Sequence, residues 1–190
     1  MWIRDKLPGY HPTVRFVTYG YNTKLYPSTS FQSVPDLANS LVVALRSCGW
    51  SSPSAKPLIF LAHSLGGVVL KQALVMLAGS GQTETFISAL VRGAVFFGVP
   101  SQGMPMDDIK IMLGTQLNAD TLVTEISDTS DYLKTLDRQF HGISFLSKVK
   151  LFWAYETKTT PTVVEVSRFH ILVVIDTLTG GTVSGKPGHF

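Results

Sequence analysis

Ser64 is the residue best placed to do covalent chemistry in this chain. It sits in Ala62-His63-Ser64-Leu65-Gly66-Gly67, where an apolar run of strand length stops and a long apolar helical pattern begins at once. That layout is the strand–turn–helix of a nucleophile elbow. So tight a turn strains the serine backbone and requires small residues two places before and after it, which Ala62 and Gly66 supply. Gly67 lets the helix pack close to the sheet. The Ser64 hydroxyl is expected to stand exposed at the carboxyl edge of the sheet. The N–H of Leu65 would point at a developing oxyanion, helped by the positive end of the helix dipole. A plainer alternative is a Ser-Gly turn whose hydroxyl only caps the helix.

A serine hydroxyl needs a base within hydrogen-bond reach and a carboxylate to orient that base, in the chain order Ser, acid, His for this layout. Glu156 follows a late strand where the acid belongs, with Asp120, Asp128 and Asp131 as rivals. His189 follows the last strand and the Gly180-Gly181 turn, in the right order for the base, and His170 is the second candidate. His63 adjoins the serine but points elsewhere from an elbow and is expected to line the entrance. His141 ends a helix beside Gly142, ahead of the acid, and reads as a C-terminal cap.

Other chemistries lack their residues. One cysteine and scattered histidines give no metal-ligand spacing, and no phosphate-binding glycine loop is present, so neither a metal nor a cofactor is expected. Phe96, Phe97, Phe152, Trp153 and Tyr155 fall on strands and read as core packing rather than a stacking platform for bases. Met104 and Met106 could line an acyl pocket, although flexible loop filling is the plainer role.

Positioning Ser64 takes a sheet. Strands are expected at Val14–Tyr19, Leu58–Leu61, Arg92–Gly98, Val149–Tyr155 and Thr162–Val166, with a further apolar run at Ile171–Ile175. Ser33-Val-Pro-Asp36 caps a helix carrying Leu37, Leu41, Ala44 and Leu45 that stops at Gly49. Helices also fall at Leu65–Ala78 and Ser130–Phe140, the latter with Leu133, Leu136 and Phe140 on one face, while Gly103–Thr129 is mixed. Strands alternate with helices and the central strands are continuous apolar runs, so the fold class is α/β, with a mostly parallel sheet flanked by helices. In such sheets ligands sit at the carboxyl ends of the strands. Gly20-Tyr21-Asn22, Ser64, Gly98–Gly103 and Glu156 can converge there.

The 190 residues fit one domain, and a hydrophobic content of 45% against 15% charged residues allows a sizeable core. A net charge of +3 is spread along the chain, with Lys148, Lys150 and Lys158 a solvated rim, so nucleic acid is not an expected partner. No apolar stretch reaches the ~18 residues of a transmembrane segment, and the N-terminus lacks a signal peptide's apolar core. Cys48 alone suits a reducing compartment, so composition points to an intracellular, cytoplasmic protein.

Six segments occur in order: Trp2-Ile-Arg-Asp-Lys-Leu-Pro8, Tyr19-Gly-Tyr-Asn22, Phe60-Leu-Ala-His-Ser-Leu-Gly-Gly67, Lys71-Gln-Ala73, Phe96-Phe-Gly-Val-Pro100 with Gly103, and Tyr155-Glu-Thr157. On these the chain resembles the lipase-like α/β-hydrolases of the DUF676 and serine-active-site-containing group, most of all its fungal branch, over about residues 1–165. The resemblance implies an α/β-hydrolase fold, a serine esterase or lipase-type mechanism on a small-molecule ester or lipid, and association with mitochondrion, endoplasmic reticulum and membrane. Departures accompany it. Relatives open with a strand ending in His-Gly-Leu-Gly, which supplies a second oxyanion N–H, and this chain has no such sequence. Gly98-Val-Pro-Ser-Gln-Gly103 stands where relatives tend to carry Gly-Thr-Pro-His-x-Gly. Residues 166–190 form an off-pattern tail without the family's usual histidine context and could be foreign sequence, such as a read-through intron. Sequencing the transcript tests that idea, and a spliced message encoding the same tail defeats it. The sheet is therefore expected to be incomplete at both ends. Two further expectations stand beside a hydrolase: a non-catalytic recognition module with a protein partner in a signalling context, and a truncated product that folds poorly.

Overall fold

A computed structural model describes residues 7–20, 33–79, 81–105, 107, 119–154 and 170–176. A short helix α1 (Leu7–Tyr10) leads into β1 (Val14–Gly20). Helix α2 (Val34–Leu45) follows and closes in a π-turn over Arg46–Trp50. Strand β2 (Leu58–His63) runs directly into α3 (Leu65–Gly79), and α4 (Gln82–Leu90) leads into β3 (Val91–Phe97). Helices α5 (Ala119–Ile126) and α6 (Asp131–His141) precede a 3₁₀ turn over Ser144–Lys148 and β4 (Lys150–Ala154). Strand β5 (His170–Asp176) is the last described element.

Local sequence explains the helix ends. Ser33 and Asp36 form a reciprocal capping box, with the Ser33 hydroxyl accepting from the Asp36 N–H and the Asp36 carboxylate accepting from the Ser33 N–H. Gly49, at φ 91°, takes the left-handed conformation that turns the chain out of helix. Ser130 caps α6 by accepting from the Leu133 N–H, and Leu133, Leu136 and Phe140 are buried along one stripe, as their spacing predicts. Helix α4 has no counterpart in the sequence reading.

The sheet has the order β1-β5-β2-β3-β4. Strands β2, β3 and β4 are parallel, which fits the expected parallel core. Strand β5 lies antiparallel between β1 and β2, pairing Val173 with both Val17 and Phe60. The apolar run expected at 171–175 is thus an internal strand, and it comes from the stretch set apart as a tail. The expected strand at 162–166 lies outside the described residues.

Helix α3 is buried nearly all round, through Val68, Val69, Leu70, Ala73, Leu74 and Leu77, and packs between the sheet and α2 and α6. On one face of the sheet Leu58, Phe60, Ala62, Ala94 and Phe96 are buried. The other face is more open, and Phe97 and Phe152 are exposed there rather than packed in the core as expected. Phe96 and Trp153 do pack, stacked with centroids 4.3 Å apart. Tyr155 lies outside the described residues.

Candidate active site

The carboxyl ends of β1, β2, β3 and β4 share one edge of the sheet with the first residue of β5. Register shows it: Gly20 pairs with His170, Ala62 with Ile171, His63 with Phe97, and Phe97 with Ala154. The strand ends that carry the expected loops therefore share that edge. Tyr21, Asn22, Glu156 and His189 lie outside the described residues.

Ser64 joins β2 to α3 in a single residue. Its φ is 52°, and among the described residues it is the only non-glycine in the left-handed region. An L side chain there costs about 1–2 kcal/mol, so the surrounding structure must hold the turn. The Ser64 N–H donates to the Phe97 carbonyl at 2.9 Å, and the Gly67 N–H donates back to the Ser64 carbonyl at 2.9 Å. Ala62 and Gly66 are both buried, as the tight turn requires. A Cβ placed on Gly67 would come within 2.1 Å of Val99 Cγ2, so only glycine lets this turn of helix approach the loop after β3.

Leu65 begins α3. The N–H groups of a helix's first turn have no intrahelical acceptor and carry the positive end of the dipole. The Leu65 N–H, the expected oxyanion donor, is one of these groups. Ser64 is 8% exposed as a residue. The one-residue turn sinks it against β3, whose carbonyl takes its N–H.

The candidate partners of Ser64 divide. His63 is exposed at the end of β2. His141 sits at the end of α6 with Nδ1 2.8 Å from the Asp137 carbonyl oxygen, as a cap. Asp128 is exposed, and Asp131 is paired with Lys134 at 3.1 Å on the surface. His170 opens β5 immediately before Ile171, the partner of Ala62, which places its backbone at the edge where Ser64 stands.

Sequence reasoning missed a buried ionic cluster behind the turn. Lys71, on α3, is 2% exposed, and its Nζ donates to Ser101 Oγ and to Asp137 Oδ1, each at 2.9 Å. The ammonium also lies 4.9 Å from the Trp153 ring centroid and 5.3 Å from that of Phe140. The available signal was a lone charge inside a helix otherwise apolar all round. Beside the cluster a cavity of about 460 Å³ is lined by Lys71, Val99, Ser101, Asp137, His141 and Trp153 among others, and a neighbouring one of about 250 Å³ shares Ser101, Gln102 and Asp137. Ser64 lines neither.

Among the described residues, burial raises the Tyr19 phenol, and two further groups are perturbed away from this edge of the sheet. Burial pushes the Glu125 carboxyl above its ordinary value, opposed by the hydrogen bond it accepts from the Val34 N–H at 2.7 Å. Burial likewise raises the Tyr132 phenol, which donates to Gln72 Oε1 at 2.8 Å. Neither group lies at the serine turn. Among the described residues no cluster of side chains could hold a metal ion.

The class defined by these observations is an α/β protein with a strained serine at a strand–helix turn. The chain matches no family model, so the DUF676 group and its fungal branch gain no support there. It is 26% identical over 165 residues to protein SERAC1 of Bos taurus, a match that covers 80% of this chain and 25% of that protein. It is 26% identical over 144 residues to protein SERAC1 of Homo sapiens, covering 73% of this chain and 21% of that one. The Danio rerio SERAC1 protein is also 26% identical, over 163 residues. The chain thus spans a quarter or less of the length of these curated relatives. Among solved structures it is similar to the lipase BlEst2 of Bacillus licheniformis in mature form, with a TM-score of 0.48 and 18% identity over 68% of this chain and 51% of that chain.

Proposed function

We propose that this chain carries a serine hydrolase site for carboxylic esters, lipid esters among them. The observation that carries the reading is Ser64 itself: a non-glycine residue held at φ 52° in a one-residue turn between β2 and α3. In this reading the Ser64 oxygen attacks the ester carbonyl and the Leu65 N–H stabilises the oxyanion. Glu156, two residues beyond the end of β4, orients the base. The base is His189, as chain order favours, or His170, which sheet register brings to the same edge. Association with mitochondrial or endoplasmic reticulum membranes is part of the proposal and rests on the family resemblance; among the described residues no helix is long and apolar enough to cross a membrane.

A fluorophosphonate probe tests it. The full chain should become covalently labelled, and Ser64→Ala should abolish labelling. Protein that melts cooperatively yet stays unlabelled counts against the proposal. Loss of the true base leaves only about 10³–10⁴-fold acceleration over water, so one of His170→Ala and His189→Ala should suppress turnover and the other should not.

The low exposure of Ser64 as a residue, 8%, favours a second reading. That reading is a non-catalytic recognition module with a protein partner, which predicts stable folding without labelling.

A further inference from the structure

We propose that Lys71 is a positioning residue for the serine turn, an inference that rests on the hydrolase reading of Ser64. Three contacts lead from one to the other. Ser64 takes its place from the first turn of α3 and from the end of β3, through the Phe97 carbonyl. The loop after β3 presses Val99 onto the bare Cα of Gly67. One helical turn beyond Gly67, Lys71 reaches across and holds the same loop by Ser101 Oγ.

The loop is pinned elsewhere as well. Gly103, at φ 86°, lies so close to Ser127 and Asp128 that a Cβ would fall 2.3 Å from the Ser127 carbonyl oxygen. Met104 and Ser127 form an isolated β-bridge just after it. The segment from Gly98 to Gly103 is therefore fixed at its root by β3, at its far end by residues 127–128, and between them by Val99 against Gly67 and by Ser101 against Lys71.

The ammonium does not serve as a base. It donates to Ser101 and Asp137 together and has no lone pair to offer, so the Lys71–Ser101 pair is a tie rather than a second nucleophile. Asp137, on α6, anchors the other end, and the rings of Phe140 and Trp153 pack against the ammonium. One buried side chain thus joins α3, the loop after β3 and α6 directly behind the turn that aims the Ser64 hydroxyl and the Leu65 N–H. A small displacement of such groups from their working geometry costs reaction rate far more than it costs folding.

The test compares wild type, Ser101→Ala, Ser101→Thr and the double variant Lys71→Met/Asp137→Asn in the full chain. The double variant removes both charges and so leaves neither buried alone. Thermal melts establish folding, the rate of fluorophosphonate labelling reads the serine, and amide hydrogen exchange at Leu65–Val68 reads the turn without any need for activity. Ser101→Ala and the double variant should melt cooperatively yet label about 10- to 100-fold more slowly, with faster exchange at Leu65–Val68. Ser101→Thr, which keeps the acceptor, should restore both readouts. Wild-type labelling and exchange in both cooperatively folded variants would overturn the proposal. Should folded wild type fail to label at all, the hydrolase reading fails instead. Exchange alone then decides the tie: faster exchange sustains it, and unchanged exchange removes it.

Discussion

Ser64 combines two costs that a purely structural turn would shed. Its side chain is tolerated at φ 52°, where glycine would be free of strain, and it puts a polar residue at a place where the residue is only 8% exposed. Relief of the first cost is measurable. Ser64→Gly should exceed Ser64→Ala in stability by about 1 kcal/mol, since alanine keeps the steric conflict and glycine does not. Urea unfolding of the two variants checks this, and equal midpoints would show that the turn relaxes when the hydroxyl is gone. Glu125 gives a second prediction of this kind. Burial raises its carboxyl above the ordinary 4.5, against the Val34 hydrogen bond, and the nearby Asp36 raises it further. Between 4.5 and the raised value the folded chain holds more protons than the unfolded chain. Stability from this group is therefore present at lower pH and lost as pH rises through that window. Glu125→Gln should remove that decline, so the two urea-unfolding curves against pH should diverge in the acid range and run parallel near neutrality. Curves parallel throughout would contradict the raised value.

The elements show what a sequence can and cannot disclose. Helices α2 and α6 were legible because each is announced by a serine cap and then by apolar residues at helical spacing. Strand β2 and helix α3 were legible because a strand-length apolar run meets a glycine pair. Helix α4 was not, since Gln82–Leu90 has a glycine before it, no side-chain cap and a mixed pattern. Exposure of Phe97 and Phe152 escaped as well, because a continuous apolar run does not say which face is covered. The Lys71 cluster escaped for another reason: its three polar members are separated by 30 and 66 positions in sequence and meet only through packing. Glycine at position 67 illustrates how element packing is read back into a residue. Gly67→Ala should destabilise the chain by about 1–3 kcal/mol, because the new methyl group must displace Val99. Adding Val99→Ala should recover most of that loss, and a double-mutant cycle with no coupling between the two positions would refute the close approach.

At the scale of the whole molecule, the sheet depends on β5. Without it β1 has no described partner, and β2 loses one of its two ladders. An antiparallel strand between two strands that run the same way could not have been inferred from the sequence, since an apolar run of this length specifies neither direction nor neighbours. Its consequence for stability is nevertheless definite. Val173 lies at the middle of β5 and faces a partner on each side, Val17 and Phe60, whereas Asp176 at the end pairs with Val14 alone. A proline cannot donate to a ladder, and internal strands exclude it. Val173→Pro should therefore cost about 3 kcal/mol, a fall in melting temperature of about 10 °C for a chain of this size, while Asp176→Pro should cost less than about 1 kcal/mol. Differential scanning calorimetry of both variants makes the comparison. If Val173→Pro melts with wild type, residues 170–176 do not hold the centre of the sheet, and His170 loses its place at the edge beside Ser64. The architecture and the choice of base thus stand on the same seven residues.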